Sequence, residues 1–290
     1  MSESKLSAIV PLAVTDHRRD ILGFQYVYPV VSRRAGGVSV GINLNPNNAC
    51  NWRCIYCQVP GLVRGNAPEL DLAVLEDELG ALLADVVHGD FMQRSVPETA
   101  RRLNDVALSG NGEPTASRQF GDVIDLVGRQ LTRFGLIGQI KFVLITNGSQ
   151  LYKPAVQAAL ARLRELNGEV WFKYDRAPVN GYSEVNQIAL SAAQIKRHLR
   201  AATEHCPTWL QTCMFMLDGQ LPSEAEVDAW LALLAEAMAE GARPAGVLLY
   251  GLARASTQPE APRLAKAPDA WMQALAARIE GLGLPVKLSL

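Results

Sequence analysis

Three cysteines, Cys50, Cys54 and Cys57, fall in the run Asn48-Ala49-Cys50-Asn51-Trp52-Arg53-Cys54-Ile55-Tyr56-Cys57, a C-x3-C-x2-C spacing. Thiolates crowded at this range are soft donors, and soft donors select iron–sulfur clusters or zinc. A closed structural site wants four protein ligands. This loop supplies three, and nothing near it in sequence supplies a fourth. Three thiolates on a 4Fe–4S cubane leave one iron open. An open iron can chelate the amino and carboxylate groups of S-adenosylmethionine (SAM) and pass an electron to its sulfonium. The alternative is a zinc site completed by a distant residue such as Cys206 or His88, although zinc loops usually bring C-x2-C pairs from two places.

Other stretches carry polar groups in suggestive places. Ser109-Gly110-Asn111-Gly112-Glu113-Pro114-Thr115 has glycines that let backbone approach a ligand closely, and such turns form ion-binding nests. A plain turn after a strand is the alternative. Thr146-Asn147-Gly148 reads either as a Gly-terminated turn or as a polar contact. Lys173 and Asp175 alternate with Phe172 and Tyr174, so both project to one side of a strand. Charges at the end of a buried strand are costly unless paired or used. A mutual salt bridge is one reading. In the other, Lys173 holds a carboxylate or forms an imine with a carbonyl substrate. Arg254, in Tyr250-Gly251-Leu252-Ala253-Arg254, is a third candidate catalytic group or a surface arginine, and Gln211 also sits on a late strand. Cys206 and Cys213 read as small buried side chains. His17, His88, His198 and His205 show no ligand spacing and read as surface or cap residues.

These residues need a scaffold, and the hydrophobic pattern supplies one. Apolar runs at 38–44, 105–108, 140–145, 169–172, 209–216, 246–250 and 286–288 read as strands. They are continuous rather than alternating, which predicts strands buried on both faces, hence a parallel sheet covered by helices. Helical stripes lie between them: Leu72, Leu75, Leu79, Leu82, Leu83 and Val86; Phe120, Val123, Ile124, Val127, Leu131 and Phe134; Val227, Trp230, Leu231, Leu234 and Met238. Ser191 with Gln194 and Ser223 with Glu226 read as capping boxes. The expectation is an α/β fold, a single-domain partial (β/α)6 TIM-like barrel over 38–290, with residues 1–37 an N-terminal extension packed on it. Residues 89–104 read as an irregular insertion, and the Pro-rich 258–268 as a loop or lid. Each chemically loaded stretch follows a strand, where barrels of this class place their sites.

Bulk properties narrow the partners. The chain has 290 residues and 49% hydrophobic residues, ample for one core. Five cysteines, an odd count with one tight cluster, do not make a secreted disulfide framework and point to a reducing compartment, hence the cytoplasm. No long apolar run free of charge predicts a membrane span, and the stretch 6–14, with Pro11 and no small-residue cleavage site, is not read as a signal peptide. Net charge is −1, from 28 basic and 29 acidic residues, without the basic excess of a nucleic-acid binder. Arg18-Arg19 and Arg33-Arg34 are the local patches that phosphate binding would need, solvated surface being the plainer reading.

The C-x3-C-x2-C loop with an aromatic before its last cysteine resembles the signature of the radical SAM superfamily. The resemblance implies that Cys50, Cys54 and Cys57 ligate a 4Fe–4S cluster and that Tyr56 lies by the adenine of SAM. Gly110-Asn111-Gly112-Glu113-Pro114-Thr115 resembles the superfamily's Gly-Gly-Glu motif, in the Gly-x-Gly-Glu-Pro-Thr form of wybutosine-type (tRNA 4-demethylwyosine synthase-like) Fe–S oxidoreductases. That implies contact with the SAM amino group, with Glu113 as an acceptor. By the same resemblance Thr146 and Asn147 serve the SAM ribose, and Arg254 faces substrate. The implied activity is reductive cleavage of SAM to a 5′-deoxyadenosyl radical that abstracts hydrogen from a substrate, fed by a low-potential donor of flavodoxin or ferredoxin type. Studied wybutosine-type members rebuild a guanine in tRNA. This chain lacks a basic excess, extra cysteines and the long extensions of some members, so its substrate stays open between tRNA, a protein and others. A glycyl-radical-enzyme activase is the main enzymatic alternative, and a structural iron–sulfur or zinc protein the non-enzymatic one.

Overall fold

A computed structural model describes residues 12, 22–32, 36–177 and 181–290. His17, the pairs Arg18-Arg19 and Arg33-Arg34, and most of the 6–14 stretch lie outside the described residues.

Eight strands make one sheet: β1 (Val27–Ser32), β2 (Gly37–Ile42), β3 (Leu103–Leu108), β4 (Lys141–Thr146), β5 (Gly168–Lys173), β6 (Thr208–Cys213), β7 (Gly246–Tyr250) and β8 (Val286–Ser289). They lie side by side in chain order. β2 to β8 are parallel, and β1 joins β2 antiparallel, Val27 opposite Ile42 and Ser32 opposite Gly37. Six helices connect the parallel strands in turn: α1 (Leu72–His88), α2 (Phe120–Arg133), α3 (Pro154–Glu165), α4 (Ala192–His205), α5 (Glu224–Ala239) and α6 (Asp269–Glu280). Because the order never reverses, the twisted sheet curls into a partial barrel rather than a doubly wound plane. The expected six βα units are all present.

Alternation along each strand feeds two cores. Val106, Leu108, Phe142, Leu144, Val170, Phe172, Leu210, Val247 and Leu249 pack under the helices with Leu75, Leu79, Val123, Val127, Leu160 and Leu234. On the inner face Ala107, Val143, Trp171 and Leu248 form a second, smaller cluster with Ile145 and Trp209 beside it. Burial on both faces is why the strands read as unbroken apolar runs.

Local differences from the sequence reading have physical causes. The run expected at 209–216 divides after Cys213: Phe215–Leu217 leaves the barrel and pairs antiparallel with Leu264–Lys266, so the Pro-rich stretch ends in a ribbon. The 89–104 segment contains a helical turn, Phe91–Ser95, and a 3-10 turn, Glu98–Ala100. The Ser191–Gln194 capping box is complete. At α5 only half of it forms: Ser223 accepts from Glu226 N at 3.2 Å, while the Glu226 carboxylate turns to Arg176 at 3.5 Å. Among the described residues no helix is long and apolar enough to cross a membrane.

Candidate active site

The cysteine loop leaves β2 and is stitched to its neighbours by asparagines. Asn43 Oδ1 accepts from the backbone N–H of both Asn45 and Asn111 at 3.0 Å, and Asn45 Nδ2 donates to Ala49 O at 2.9 Å. Asn111 Nδ2 donates to Asn48 Oδ1 at 2.5 Å. The turn after β3 therefore lies directly on the loop after β2. That closeness is what its glycines permit. Gly110 has φ +144°, and a Cβ there would collide with Asn43; one on Gly112 would strike Ala49 O and the Asn45 amide.

The far side of the loop is held by later parts of the chain. The π-helical turn Tyr182–Asn186 accepts from Arg53 N, through Asn186 O at 3.2 Å, and from Ile55 N, through Val185 O at 2.8 Å. Ser256 Oγ donates to Ile55 O at 2.8 Å, Thr257 N to Cys57 O at 3.0 Å, and Gln258 Nε2 to Val59 O at 3.0 Å. Arg53 reaches Gln187 Oε1 at 2.8 Å and Glu260 Oε1 at 2.9 Å. Arg254 donates through Nε and Nη2 to Gln58 Oε1 at 2.9 and 2.6 Å, so it grips the residue after Cys57.

The sulfurs are prepared for charge. Trp52 N points at Cys50 Sγ at 3.4 Å and Asn186 Nδ2 at Cys54 Sγ at 3.2 Å. Burial pushes the Cys50 thiol up to about 12 and the Cys54 thiol up to about 11. Only the thiolate ligates metal. Donors aimed at sulfurs that burial keeps neutral suit thiolates ionised by a bound cationic cluster. The described His, Cys, Asp and Glu side chains form no group of three that could hold one metal ion. Cys206 lies just before β6 with its Sγ toward Gly168 O, and His88 ends α1 against Phe134. Topology puts both at the opposite end of the strands from the cysteine loop. Donor set and surroundings thus fit a 4Fe–4S cluster.

Glu113 is 2% exposed, and four donors meet its carboxylate, three of them on one oxygen. Oε1 accepts from Thr115 N at 3.1 Å, from Thr115 Oγ1, and from Thr146 Oγ1 at 2.6 Å; Oε2 accepts from Asn147 N at 2.7 Å. Burial raises its pKa, and these hydrogen bonds offset part of the rise. Glu113 and Thr146 thereby tie the segment after β3 to the end of β4. Asn147 Nδ2 continues the network to Asn51 Oδ1 at 2.8 Å, and Asn51 Nδ2 donates to Ser149 Oγ at 2.7 Å.

Lys173 and Asp175 share one side of β5 as alternation requires, with the Tyr56 hydroxyl between them. Lys173 Nζ donates to Tyr56 Oη at 2.9 Å and stands 4.9 Å from the ring centre; Tyr56 Oη donates to Asp175 Oδ2. The fully buried Asp175 also accepts from Asn186 Nδ2 at 2.9 Å and Cys213 N at 3.1 Å. Burial lowers the Lys173 pKa, but Tyr250, Asp175 and Cys54 raise it more, and the ammonium is held above the usual lysine range. Lys173, Asp175 and Tyr56 form one cluster; Arg254 stands apart on Gln58. Asn43, Asn45, Asn51, Gln58 and Asn186 join the site unannounced by any motif. The asparagine-rich run from Asn43 to Asn51 was the available signal, since short amides bond to nearby backbone in loops.

No protein-family model matches the chain. The UPF0026 protein of Helicobacter pylori strain J99 is 29% identical over 133 residues, 46% of this chain and 37% of that protein. GTPase Obg of Brachyspira hyodysenteriae is 30% identical over 135 residues, 46% of this chain and 17% of that protein. The match thus spans well under half the length of these curated relatives. Among solved structures, TYW1 with a lysine–pyruvate adduct bound has a TM-score of 0.53 at 14% identity, covering 87% of this chain and 74% of that one. A radical SAM methyltransferase from Sphaerobacter thermophilus has a TM-score of 0.53 at 16% identity, covering 87% of this chain and 66% of that one. The chain shares its fold with these two structures, one of them a radical SAM methyltransferase. On this shared fold the cysteine loop follows the first parallel strand, and Gly110–Gly112, Thr146–Asn147 and Lys173–Asp175 lie at the ends of the next three. The likeness of fold covers 87% of the chain in each comparison.

Proposed function

We propose that the chain is a radical SAM enzyme whose Cys50, Cys54 and Cys57 hold a 4Fe–4S cluster beside a SAM site on the barrel rim. The carrying observation is the donor set: three cysteines on one rim loop, with N–H groups already aimed at two of their sulfurs. When bound, cluster and SAM supply a 5′-deoxyadenosyl radical that takes a hydrogen atom from the substrate. The chain's own residues bind and orient. Tyr56, its hydroxyl fixed by Lys173 and Asp175, presents a ring at a set angle beside the loop. Lys173, its ammonium hydrogen-bonded to Tyr56 Oη, acts as a cation for a carboxylate, of SAM or of substrate. Glu113 acts through Thr146 and Asn147, holding two strand ends at the spacing a ligand across them requires.

A low-potential flavodoxin or ferredoxin type donor in a reducing cytoplasm would supply the electron. The wybutosine-type resemblance makes a tRNA guanine the first substrate to test, with a protein glycine, as for an activase, the second. The deciding experiment is anaerobic reconstitution, iron and sulfide analysis, and then reduction with SAM present. One cubane per chain and release of 5′-deoxyadenosine are expected. Zinc alone, or a protein side chain on every metal corner, would end this reading.

A further inference from the structure

Asn186 is fully buried at the end of the π-helical turn between β5 and α4, and its side-chain amide lies between two groups that carry negative charge when ionised. Nδ2 donates to Cys54 Sγ at 3.2 Å and to Asp175 Oδ2 at 2.9 Å. The carboxylate fixes this orientation: the amide turned over would set Oδ1 against Asp175 Oδ2, an acceptor. The position is fixed as well. Asn186 O and Val185 O accept from Arg53 N and Ile55 N, on either side of Cys54. Tyr182, in the same turn, meets Trp52 edge-on at 5.8 Å between ring centres. Asp175 is itself held by Cys213 N and Tyr56. The amide therefore moves with the Cys54 loop as one body.

Asn186 Oδ1 is buried without a hydrogen-bond partner among the described residues, which is unfavourable for an acceptor. A leucine of similar size would avoid that cost, so the position keeps an amide for its donors. Reducing an iron–sulfur cluster adds negative charge to its sulfurs, and a hydrogen bond to a ligating sulfur favours the reduced form. A bare carboxylate at the same place would favour the oxidised form.

We infer that Asn186 is a positioning residue for the cluster: through its hydrogen bond to Cys54, and by keeping Asp175 off the sulfur, it raises the cluster's reduction potential. The inference rests on the cluster reading above, and the two can fail separately. The test uses the anaerobically reconstituted full chain and Asn186→Leu. If the wild-type protein takes up no iron and sulfide, the cluster reading falls and this inference with it. With clusters present, EPR-monitored redox titration should place Asn186→Leu at a more negative midpoint. At a fixed solution potential its reduced-to-oxidised ratio should fall at least about tenfold, about 59 mV for one electron. Equal midpoints overturn the inference. Should Asn186→Leu fail to fold, the wild-type chain grown with 15N-asparagine still decides. Pulsed EPR of its reduced cluster should show a 15N coupling from an amide on a ligating sulfur, and its absence overturns the inference too.

Discussion

The phenol of Tyr56 stands between Lys173 and Asp175, accepting from the ammonium at 2.9 Å and donating to the carboxylate. A residue of the cysteine loop thus bridges the charged pair at the end of β5. Tyr56→Phe would leave a half-buried ammonium and a fully buried carboxylate without their bridge, at a cost of about 1–3 kcal/mol. All three thiols remain, so iron uptake should match wild type. Denaturant unfolding should show the stability loss, and 5′-deoxyadenosine formation should fall about tenfold or more through misplacement of the ring. Activity unchanged in a destabilised variant would reduce Tyr56 to a packing residue.

Cys54 and Cys213 are both buried, yet they differ in role. Cys54 receives a side-chain N–H from Asn186, whereas Cys213 offers its backbone N–H to Asp175. Cys54→Ala should abolish both iron uptake and SAM cleavage. Cys213→Ala keeps that backbone contact and should retain both, losing about 1 kcal/mol of stability. Loss of the cluster in both variants would contradict the assignment of the fourth iron corner to SAM.

Glu113→Gln removes one carboxylate oxygen from a site that satisfies four donors and turns an NH2 group toward one of them. The expected cost is about 2 kcal/mol, since each orphaned buried donor loses its partner. SAM affinity should weaken with it, because the ends of β3 and β4 lose their tie. Equilibrium SAM titration beside denaturant unfolding separates the alternatives. Weaker SAM binding with unchanged stability would make Glu113 a direct ligand contact instead.

How much of this was legible in the sequence depended on how local each signal was. The cysteine loop is a local pattern, and so are the helical stripes and the Ser191–Gln194 box; all stand where the spacing put them. β1 escaped because Pro29 interrupts its run, and proline argues against a strand unless that strand is an edge, which β1 is. The alternation of Lys173 and Asp175 was readable, but the tyrosine that bridges them lies 117 residues from Lys173 along the chain. Asn186 meets Cys54 across 132 residues, and nothing in its own neighbourhood marks it. Contacts of this kind are set by the curl of the sheet and the loops on its rim, which no short window of sequence contains.

His198 was expected at the surface or in a cap, and it lies buried on α4, stacked on Tyr152 at 5.8 Å between ring centres. Burial, with Arg197 adding to it, lowers its pKa from 6.5 to about 4. The folded state thus prefers the neutral ring more strongly than the unfolded chain does. For a pKa depressed on folding, the stability is present above the unfolded value of 6.5 and is lost as pH falls toward about 4. At about 1.4 kcal/mol per unit, the full loss is up to about 3 kcal/mol. Urea unfolding at about pH 7 and about pH 5 should show part of it in the wild-type chain, and much less in His198→Phe, which keeps the stacked ring but cannot titrate. An identical pH dependence in the two proteins would place the acid-sensitive group elsewhere in the fold.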